Sequence, residues 1–477
     1  MDRCDILIVG AGPGGLAAAK GAREAGAERV FLLERDDRAG GILNQCIHDG
    51  FGIIRYRQQL TGPEYALRAE AEMEHSGIRL LTGCHVLRID RAEDARATAG
   101  GLRAAASPHL VTAVSAEGLM YIQAGAVILA TGCRERTRGA IAIPGSRPAG
   151  VFTAGVTQSL VNIRNIMPGR RVVILGSGDV GMIMARRLTL EGAEVCAVIE
   201  VLPEPAGLSR NVSQCLYDYG IPILCSHTVS RIVGKKRLEA VEISALDGSM
   251  APVPGTEQII PCDTLVLSVG LIPENEVAQT AGVALDAATG GTLTDQYLQT
   301  SVPGIFACGN ARRVMDLADF VSEQGELAGR NAVLLLRGEE MVGWDEARTS
   351  SMAKGFPEDG VVTCTLCPTG CQVRYDEASG TYEGNRCPRG AEFAEQERTA
   401  PKRILTTTVK LAGGPGGASV SPLLPVRSRE PVSRERLPRL IQKLRGITAA
   451  PPVRCGDVIL EIQDAGQTIA IVAAAEA

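Results

Sequence analysis

Two glycine-rich turns and one cysteine cluster carry most of the chemistry this sequence can offer. The first turn, Gly10-Ala11-Gly12-Pro13-Gly14-Gly15, follows the apolar run Asp5–Val9, and a second apolar run, Val30–Leu33, ends at Glu34. The second turn, Gly176-Ser177-Gly178-Asp179-Val180-Gly181, follows Arg171–Leu175, and Val195–Ile199 ends at Glu200. In each copy the first glycine permits a tight turn, the second lets backbone approach a pyrophosphate, and the third allows close helix–strand packing. The helix that follows faces the phosphates with its free N–H groups and the positive end of its dipole. The acid at the end of the second strand sits where an adenosine ribose would offer its hydroxyls. Two complete copies imply two dinucleotides held by one chain.

Cys364-x2-Cys367-x3-Cys371 with Cys387 forms the cysteine cluster, interleaved with Pro368, Gly370, Pro388 and Gly390 that permit tight turns. Zinc takes four thiolates, usually from two matched CxxC knuckles. A cubane iron–sulfur cluster takes a close triplet and a remote fourth cysteine, which fits this spacing better. Zinc and reduced structural thiols stay open as alternatives. The passage also resembles the [4Fe–4S] module that opens bis-molybdopterin dehydrogenases, although no other hallmark of that family follows. The remaining cysteines are scattered, with no CxxC or CxxxxC pair among them. Cys46 and His48 are close enough in sequence for an acid–base role, whereas Cys133 and Cys308 read as small buried hydrophobes.

The elements that must position these groups follow from pattern and composition. At 477 residues the chain is long enough for two to four domains. A formal charge of −5 gives no basic footprint for nucleic acid. Apolar runs such as Ala126–Ala130 are strand-length and too short to span a membrane. The first strand begins almost at Met1, so no signal peptide is expected, and the free cysteines fit a cytoplasmic location. The expected elements include a helix around Glu64–Glu74 and hairpin strands at Val111–Val114 and Met120–Gln123. A separate buried strand is expected at Ala126–Ala130, leading into Thr131-Gly132, and a helix over Ser322–Leu336. Gly413–Gly417 reads as a loop, and Leu437, Leu440, Ile441 and Leu444 as one face of a helix stopped by Gly446. The expected fold is α/β: two Rossmann-like doubly wound domains, one inserted in the other, plus a small Cys-rich α+β domain. The boundaries expected are 1–150 with 275–342 for the first, 151–274 for the inserted one, 343–360 for a linker and 361–477 for the last.

The order of motifs (first fingerprint, Ala130-Thr131-Gly132, inserted fingerprint, Val269-Gly270, then Val302-Pro303-Gly304-Ile305-Phe306-Ala307-Cys308-Gly309-Asn310) resembles the two-dinucleotide flavoproteins of glutathione- and thioredoxin-reductase type. Finer wording at Gly41–His48, Ala130–Arg136 and Asp319–Glu323 is similar to a narrower branch. That branch contains FAD/NAD-dependent oxidoreductases accompanying anaerobic glycerol-3-phosphate dehydrogenases and some amine dehydrogenases. The resemblance implies FAD at the first fingerprint, contacted by Gly10, Gly12, Pro13, Gly14, Gly15, Glu34, Arg35, Gly41, Ala130, Thr131, Gly132, Gly309 and Asn310. Asn310 replaces the family's usual Asp. It implies NAD(H) at the second, through Gly176, Gly178, Asp179, Gly181, Glu200 and Gly270. No Arg or Lys follows Glu200 in Val201–Glu204, so NADH is expected over NADPH. A carboxylate about 4 Å from a 2′-phosphate costs roughly 4 kcal/mol per unit charge at an effective dielectric near 20. The other reading of Glu200 is a solvated strand end.

These parts make an electron adaptor: a nicotinamide moves hydride, a cluster moves single electrons, and a flavin does both. The expectation is an FAD-dependent, NAD(H)-linked oxidoreductase, not a disulfide reductase. It would pass electrons, through FAD and [4Fe–4S], between NAD(H) and a partner flavoprotein dehydrogenase subunit in an oligomeric complex, in a direction the sequence does not fix. Two alternatives remain: a self-contained FAD dehydrogenase of a small metabolite with structural zinc, and a non-catalytic redox-sensing or assembly subunit.

Overall fold

The computed structural model describes residues 2–73, 77–91, 109–349, 352–357, 360–412, 422–464 and 466–477. The chain divides into two compact units, one of 1–44, 51–134 and 271–350, the other of 45–50, 135–270 and 351–477.

The first unit is built on a sheet in the order Ile78–Leu81, Val30–Leu33, Asp2–Val9, Gly118–Leu129, His109–Ser115, His85–Asp90, with Ile305–Ala307 also on Gly118–Leu129. The strands from Ile78–Leu81 to Gly118–Leu129 run parallel, with Ile6 opposite both Val30 and Ala126. The hairpin strand and the buried strand expected separately are one strand, Gly118–Leu129, antiparallel to His109–Ser115 and parallel to Asp2–Val9. Gly125 interrupts the apolar pattern because a Cβ there would lie 2.8 Å from Asp5 O; it marks close strand approach rather than a turn. The helix expected near residue 64 is Gly62–Ala71, started by a Thr61–Glu64 capping box. The return helix, Ala318–Arg337, crosses Pro13–Glu24 backbone to backbone. A Cβ on Gly325 would lie 2.1 Å from Gly14 O, and one on Gly329 2.1 Å from Ala18 O. The late return segment thereby braces the helix whose N-terminus follows the first glycine turn.

The second unit contains a parallel sheet ordered Val151–Thr153, Thr264–Leu267, Arg171–Leu175, Glu194–Ile199, Ile223–Leu224. Beside it lies the antiparallel set His227–Gly234, Leu238–Ala245, Gln258–Pro261. The C-terminal segment is α+β, as expected. It has three short antiparallel strands with the helix Pro388–Thr399, then a sheet ordered Thr448–Ala449, Thr406–Leu411, Leu423–Ser428, Gln467–Ala473, Val458–Asp464. Leu437, Leu440, Ile441 and Leu444 are all buried on the helix Leu437–Leu444. The expected loop at Gly413–Gly417 lies outside the described residues.

The C-terminal segment keeps a core of its own, around Val409, Leu424, Ile441 and Ile471. It falls in the same compact unit as the second fingerprint, and polar clamps join the two. Arg187, on the helix Asp179–Leu190, donates to Thr407 Oγ1 at 3.1 Å and pairs with Glu191 at 2.6 Å. Asp218 and Glu397 together pair with Arg403 and Arg434 in a largely buried network. Within the stretch 343–360 the described residues make contacts on both sides, 350–351 and 358–359 lying outside the described residues. Arg313 pairs with Glu346 at 3.4 Å in the first unit, and Ala353 O accepts from Ser209 N at 3.1 Å in the second.

Candidate functional site

At the first glycine turn, two of the three glycines are required by the protein's own packing and the third faces open space. Gly10 has φ +99°, and a Cβ there would lie 2.5 Å from Ala130 O; on Gly15 it would lie 1.7 Å from Gly10 O. On Gly12, which caps the helix Pro13–Glu24, a Cβ would meet nothing within 4 Å. That opening beside free helix N–H groups is where a pyrophosphate fits. Gly41 faces the same turn, a Cβ on it lying 3.1 Å from Gly12 Cα. Glu34 is buried and accepts from Ala11 N at 2.8 Å and Asp36 N at 2.9 Å, pinning the strand end to the glycine turn. A carboxylate has about four lone-pair sites, so acceptor capacity remains for ribose hydroxyls.

Two buried groups nearby lack partners among the described residues. Thr131 Oγ1 and Gln324 Nε2 make no hydrogen bond there, although Gln324 Oε1 accepts from Gly309 N at 2.7 Å. Orphaned buried donors carry a desolvation penalty that a polar ligand would relieve, and FAD fits this cradle. Gln324 is a site residue that sequence reasoning missed; a polar residue one step off the apolar helix face was its only signal. Asn310 is used within its own loop: its amide nitrogen donates to Cys133 Sγ at 3.3 Å and its oxygen accepts from Met315 N at 3.0 Å. Arg35 is turned to Glu274, 2.8 Å away. Gly132 has φ +72° and its carbonyl accepts from Glu274 N at 3.0 Å. Burial pushes the Cys308 thiol up to about 12, consistent with a small buried hydrophobe.

The second glycine turn repeats this arrangement. A Cβ on Gly176, whose φ is +98°, would lie 2.1 Å from Ser268 O, and one on Gly181 2.7 Å from Gly176 O. Gly178 caps the helix Asp179–Leu190, with Ser268 Oγ 3.4 Å from its would-be Cβ. Glu200 is only 3% exposed, so the solvated-strand-end reading is wrong. Its carboxylate accepts from Ser177 N at 2.8 Å, from Ser177 Oγ, and from Leu202 N at 2.9 Å. In both copies the acid holds a backbone N–H of the turn 23 residues earlier and another two residues later. The dinucleotide fit is therefore built twice. Asp179 works differently from a direct ligand: its Oδ1 accepts from Leu208 N and from Asn211 Nδ2, both at 2.8 Å, and so fixes the loop over the turn. Gly270, φ +99°, passes its carbonyl to Arg136 N at 3.0 Å.

Cys46 and His48 belong to the same unit as the second fingerprint, in the stretch 45–50. Cys46 Sγ lies 3.6 Å from Gln158 Oε1, and burial pushes its thiol up to about 12. His48 falls to about 3, chiefly through burial and then through the Arg186 guanidinium. Burial thus holds the Cys46 thiol and the His48 imidazole in their neutral forms near neutral pH.

The four clustered cysteines are placed by turns, as their spacing predicts. Cys364 N donates to Cys371 O at 2.8 Å, Gly370 between them has φ +62°, and Cys387 caps the helix Pro388–Thr399. Cys364 is buried and Cys387 exposed. Burial raises the Cys364 thiol, and the charges of Cys367, Cys371 and Cys387 add to the effect, so all four share one neighbourhood. Among the described residues no three His, Cys, Asp or Glu side chains gather tightly enough to hold a metal ion. The donor set suits a metal centre, but the four thiols do not close into one coordination sphere here.

Against known proteins, residues 4–325 match the family described as Pyridine nucleotide-disulphide oxidoreductase, and residues 388–474 match one described as Protein of unknown function (DUF1667). The chain is 25% identical to an opine oxidase subunit of Agrobacterium tumefaciens over 350 residues, covering 70% of this chain and 65% of that protein. It is 25% identical to thioredoxin reductase of Listeria monocytogenes over 332 residues, covering 69% of this chain and 92% of that one. The crystal structure of T. acidophilum thioredoxin reductase matches with a TM-score of 0.54 at 24% identity, over 71% of this chain and 99% of that one, which bears on the fold alone. No helix among the described residues is long and apolar enough to cross a membrane.

Proposed function

We propose, starting from the fact that the chain belongs to the pyridine nucleotide-disulphide oxidoreductase family, that it passes electrons between NAD(H) and a partner redox protein through FAD and a cysteine-held cluster. The observation that carries this reading is the pair of matching dinucleotide cradles, each with a glycine-capped helix N-terminus and a buried acid pinning the turn, the first with open space at Gly12. Gly12, Glu34, Thr131 and Gln324 would hold FAD; Gly178, the helix N-terminus at Asp179 and Glu200 would hold NADH. FAD, when bound, supplies both hydride acceptance and single-electron release. The chain's own residues fix the turns, present the N–H groups and keep acceptors for the ribose hydroxyls. Buried Glu200, with no Lys or Arg in Val201–Glu204, disfavours a 2′-phosphate and supports NAD(H) over NADP(H).

Cys364, Cys367, Cys371 and Cys387 are the residues we assign to a [4Fe–4S] cluster, on their triplet-plus-one spacing and their shared neighbourhood. A dithiol mechanism is disfavoured by the neutral Cys46 thiol and by the lack of a paired thiol spacing outside the cluster. A relative named as part of an oxidase supports a dehydrogenase partner, and the class we favour is a glycerol-3-phosphate or amine dehydrogenase. The test is the ultraviolet–visible spectrum of anaerobically purified protein with iron and sulfide analysis, followed by NADH titration. The reading expects flavin bleaching by NADH and about four irons and four sulfides per chain. One zinc without sulfide would overturn the adaptor, and an absence of flavin would overturn the oxidoreductase.

A further inference from the structure

The two glycine turns share one hydrogen-bond plan, and they part company at one side chain. In the first, Ala11 N donates to Glu34 Oε2 at 2.8 Å, Asp36 N to Glu34 Oε1 at 2.9 Å, and Gly40 N to Ala11 O at 2.8 Å. In the second, Ser177 N donates to Glu200 Oε2 at 2.8 Å, Leu202 N to Glu200 Oε1 at 2.9 Å, and Gly207 N to Ser177 O at 3.1 Å. Ala11 and Ser177 therefore hold equivalent places, and both are buried. The serine adds a hydroxyl that the first turn lacks. Its Oγ accepts from Ala206 N at 2.9 Å and also contacts Glu200 Oε2. Ala206 N can only donate, so the one hydroxyl proton is left for the carboxylate, which can only accept when ionised.

That proton changes the acceptor count of the acid. A carboxylate offers about four acceptor sites, two on each oxygen. Among the described residues Glu34 spends one site on each oxygen and keeps one on each. Glu200 spends both sites of Oε2 on Ser177 N and Ser177 Oγ, spends one of Oε1 on Leu202 N, and keeps one. Both acids are buried, so neither carboxylate turns to offer another oxygen without breaking these bonds. An adenosine ribose carries adjacent 2′- and 3′-hydroxyls, and Glu34 has an acceptor for each.

We infer that Ser177 restricts Glu200 to a single hydrogen bond from the adenosine ribose of NAD(H). The inference rests on the reading of the second turn as the NAD(H) site and adds a positioning residue to it, since Ser177 acts through the acid. A dinucleotide that serves as substrate must leave at every turnover, whereas a resident flavin stays. One hydrogen bond fewer to a charged acceptor lowers affinity at least tenfold, which suits the exchanging partner.

The test is calorimetric titration of the anaerobically purified full chain with NAD+ and with its 2′-deoxyadenosine and 3′-deoxyadenosine analogues. In the wild type one analogue should bind at least tenfold more weakly than NAD+, and the other within about threefold of it. In Ser177→Ala the freed site on Oε2 takes the second hydroxyl, so both analogues should bind at least tenfold more weakly than NAD+ does to that variant. Each comparison is made within one protein, so damage to the Ala206 loop cancels. Alanine at the equivalent position of the first turn shows that the turn accepts it; if Ser177→Ala still fails to fold, Ser177→Gly removes the same hydroxyl. Tenfold losses with both analogues in the wild type overturn the inference, as does a wild-type pattern retained without the hydroxyl, which is the result expected if Ser177 merely steadies the loop. Tight binding of both analogues by the wild type overturns it by removing Glu200 from the ribose. Failure of the wild type to bind NAD+ at all would instead overturn the proposed function, and this inference with it.

Discussion

Replacing Glu200 with Ala tests the nucleotide preference and shows how far one carboxylate does two jobs. The side chain is 3% exposed and receives Ser177 N, Ser177 Oγ and Leu202 N. Truncation leaves two backbone N–H groups without an acceptor, at roughly 1–3 kcal/mol each where water cannot replace it. The second unit should therefore lose about 2–6 kcal/mol of stability. Ribose hydrogen bonds to a charged acceptor are worth about 1.5–3 kcal/mol, so the Kd for NADH should rise roughly ten- to hundredfold. For NADPH the same losses apply, but a repulsion of about 4 kcal/mol per unit charge at 4 Å disappears. The ratio of the two nucleotides is thus the informative quantity, because damage to the turn cancels in it. Stopped-flow flavin reduction over a range of NADH and NADPH concentrations gives that ratio. The wild type should favour NADH by about three powers of ten, and Glu200→Ala should cut this at least tenfold. An unchanged ratio in a folded variant would refute the electrostatic argument, and equal use of both nucleotides by the wild type would refute it sooner.

Gly12→Val should fold, since a Cβ at Gly12 meets nothing within 4 Å, yet lose FAD by filling the pyrophosphate space; stoichiometric flavin in that variant would reassign the site. Cys367→Ala should remove cluster iron and block reduction of the partner while NADH still bleaches the flavin, as metal analysis and stopped-flow absorbance would show. His48, lowered to about 3 from an ordinary value near 6.5, binds its proton in the unfolded chain over that interval but not in the folded one. Stability is accordingly full above about pH 6.5 and falls on acidification toward pH 3, at up to about 1.4 kcal/mol per pH unit. Urea unfolding between pH 4 and 7 should show a shallower slope in His48→Gln, and an identical slope would remove His48 as the cause.

The glycine turns were legible because their signal is local: turn, helix and terminal acid lie within about 25 residues, and each residue type has a steric or electrostatic reason. The helix bearing Leu437, Leu440, Ile441 and Leu444 was legible for the same reason, as its period is written in consecutive residues. What Glu34 and Glu200 do to the protein itself was not. Both spend part of their acceptor capacity on turn N–H groups, which spacing alone does not reveal. The sequence pattern divides the strand Gly118–Leu129 in two, whereas the structure runs it through Gly125, beside Asp5 O of a strand far away in sequence. The partnerless burial of atoms on Thr131, Gln324 and Arg210 carries no sequence signal, because it is a property of the assembled structure.

The C-terminal segment packs onto the helix that follows the second glycine turn. The helix Asp179–Leu190 has the nucleotide turn at its N-terminus, with Gly178 as the cap. At its other end Arg187 reaches Thr407, and Arg445 donates to Leu190 O at 3.0 Å. Leu190 also packs against the C-terminal core. One short helix thus carries phosphate-facing N–H groups at one end and is clamped by the later sheet at the other. Near its start, Asp179 holds Leu208 and Asn211, and the same segment receives Ala353 and approaches Gly370 between two of the cluster cysteines. A displacement of the cysteine loop has a short covalent and hydrogen-bonded route to the nucleotide turn through Leu208–Asn211. The cysteine segment therefore belongs to the same compact unit as the second glycine turn.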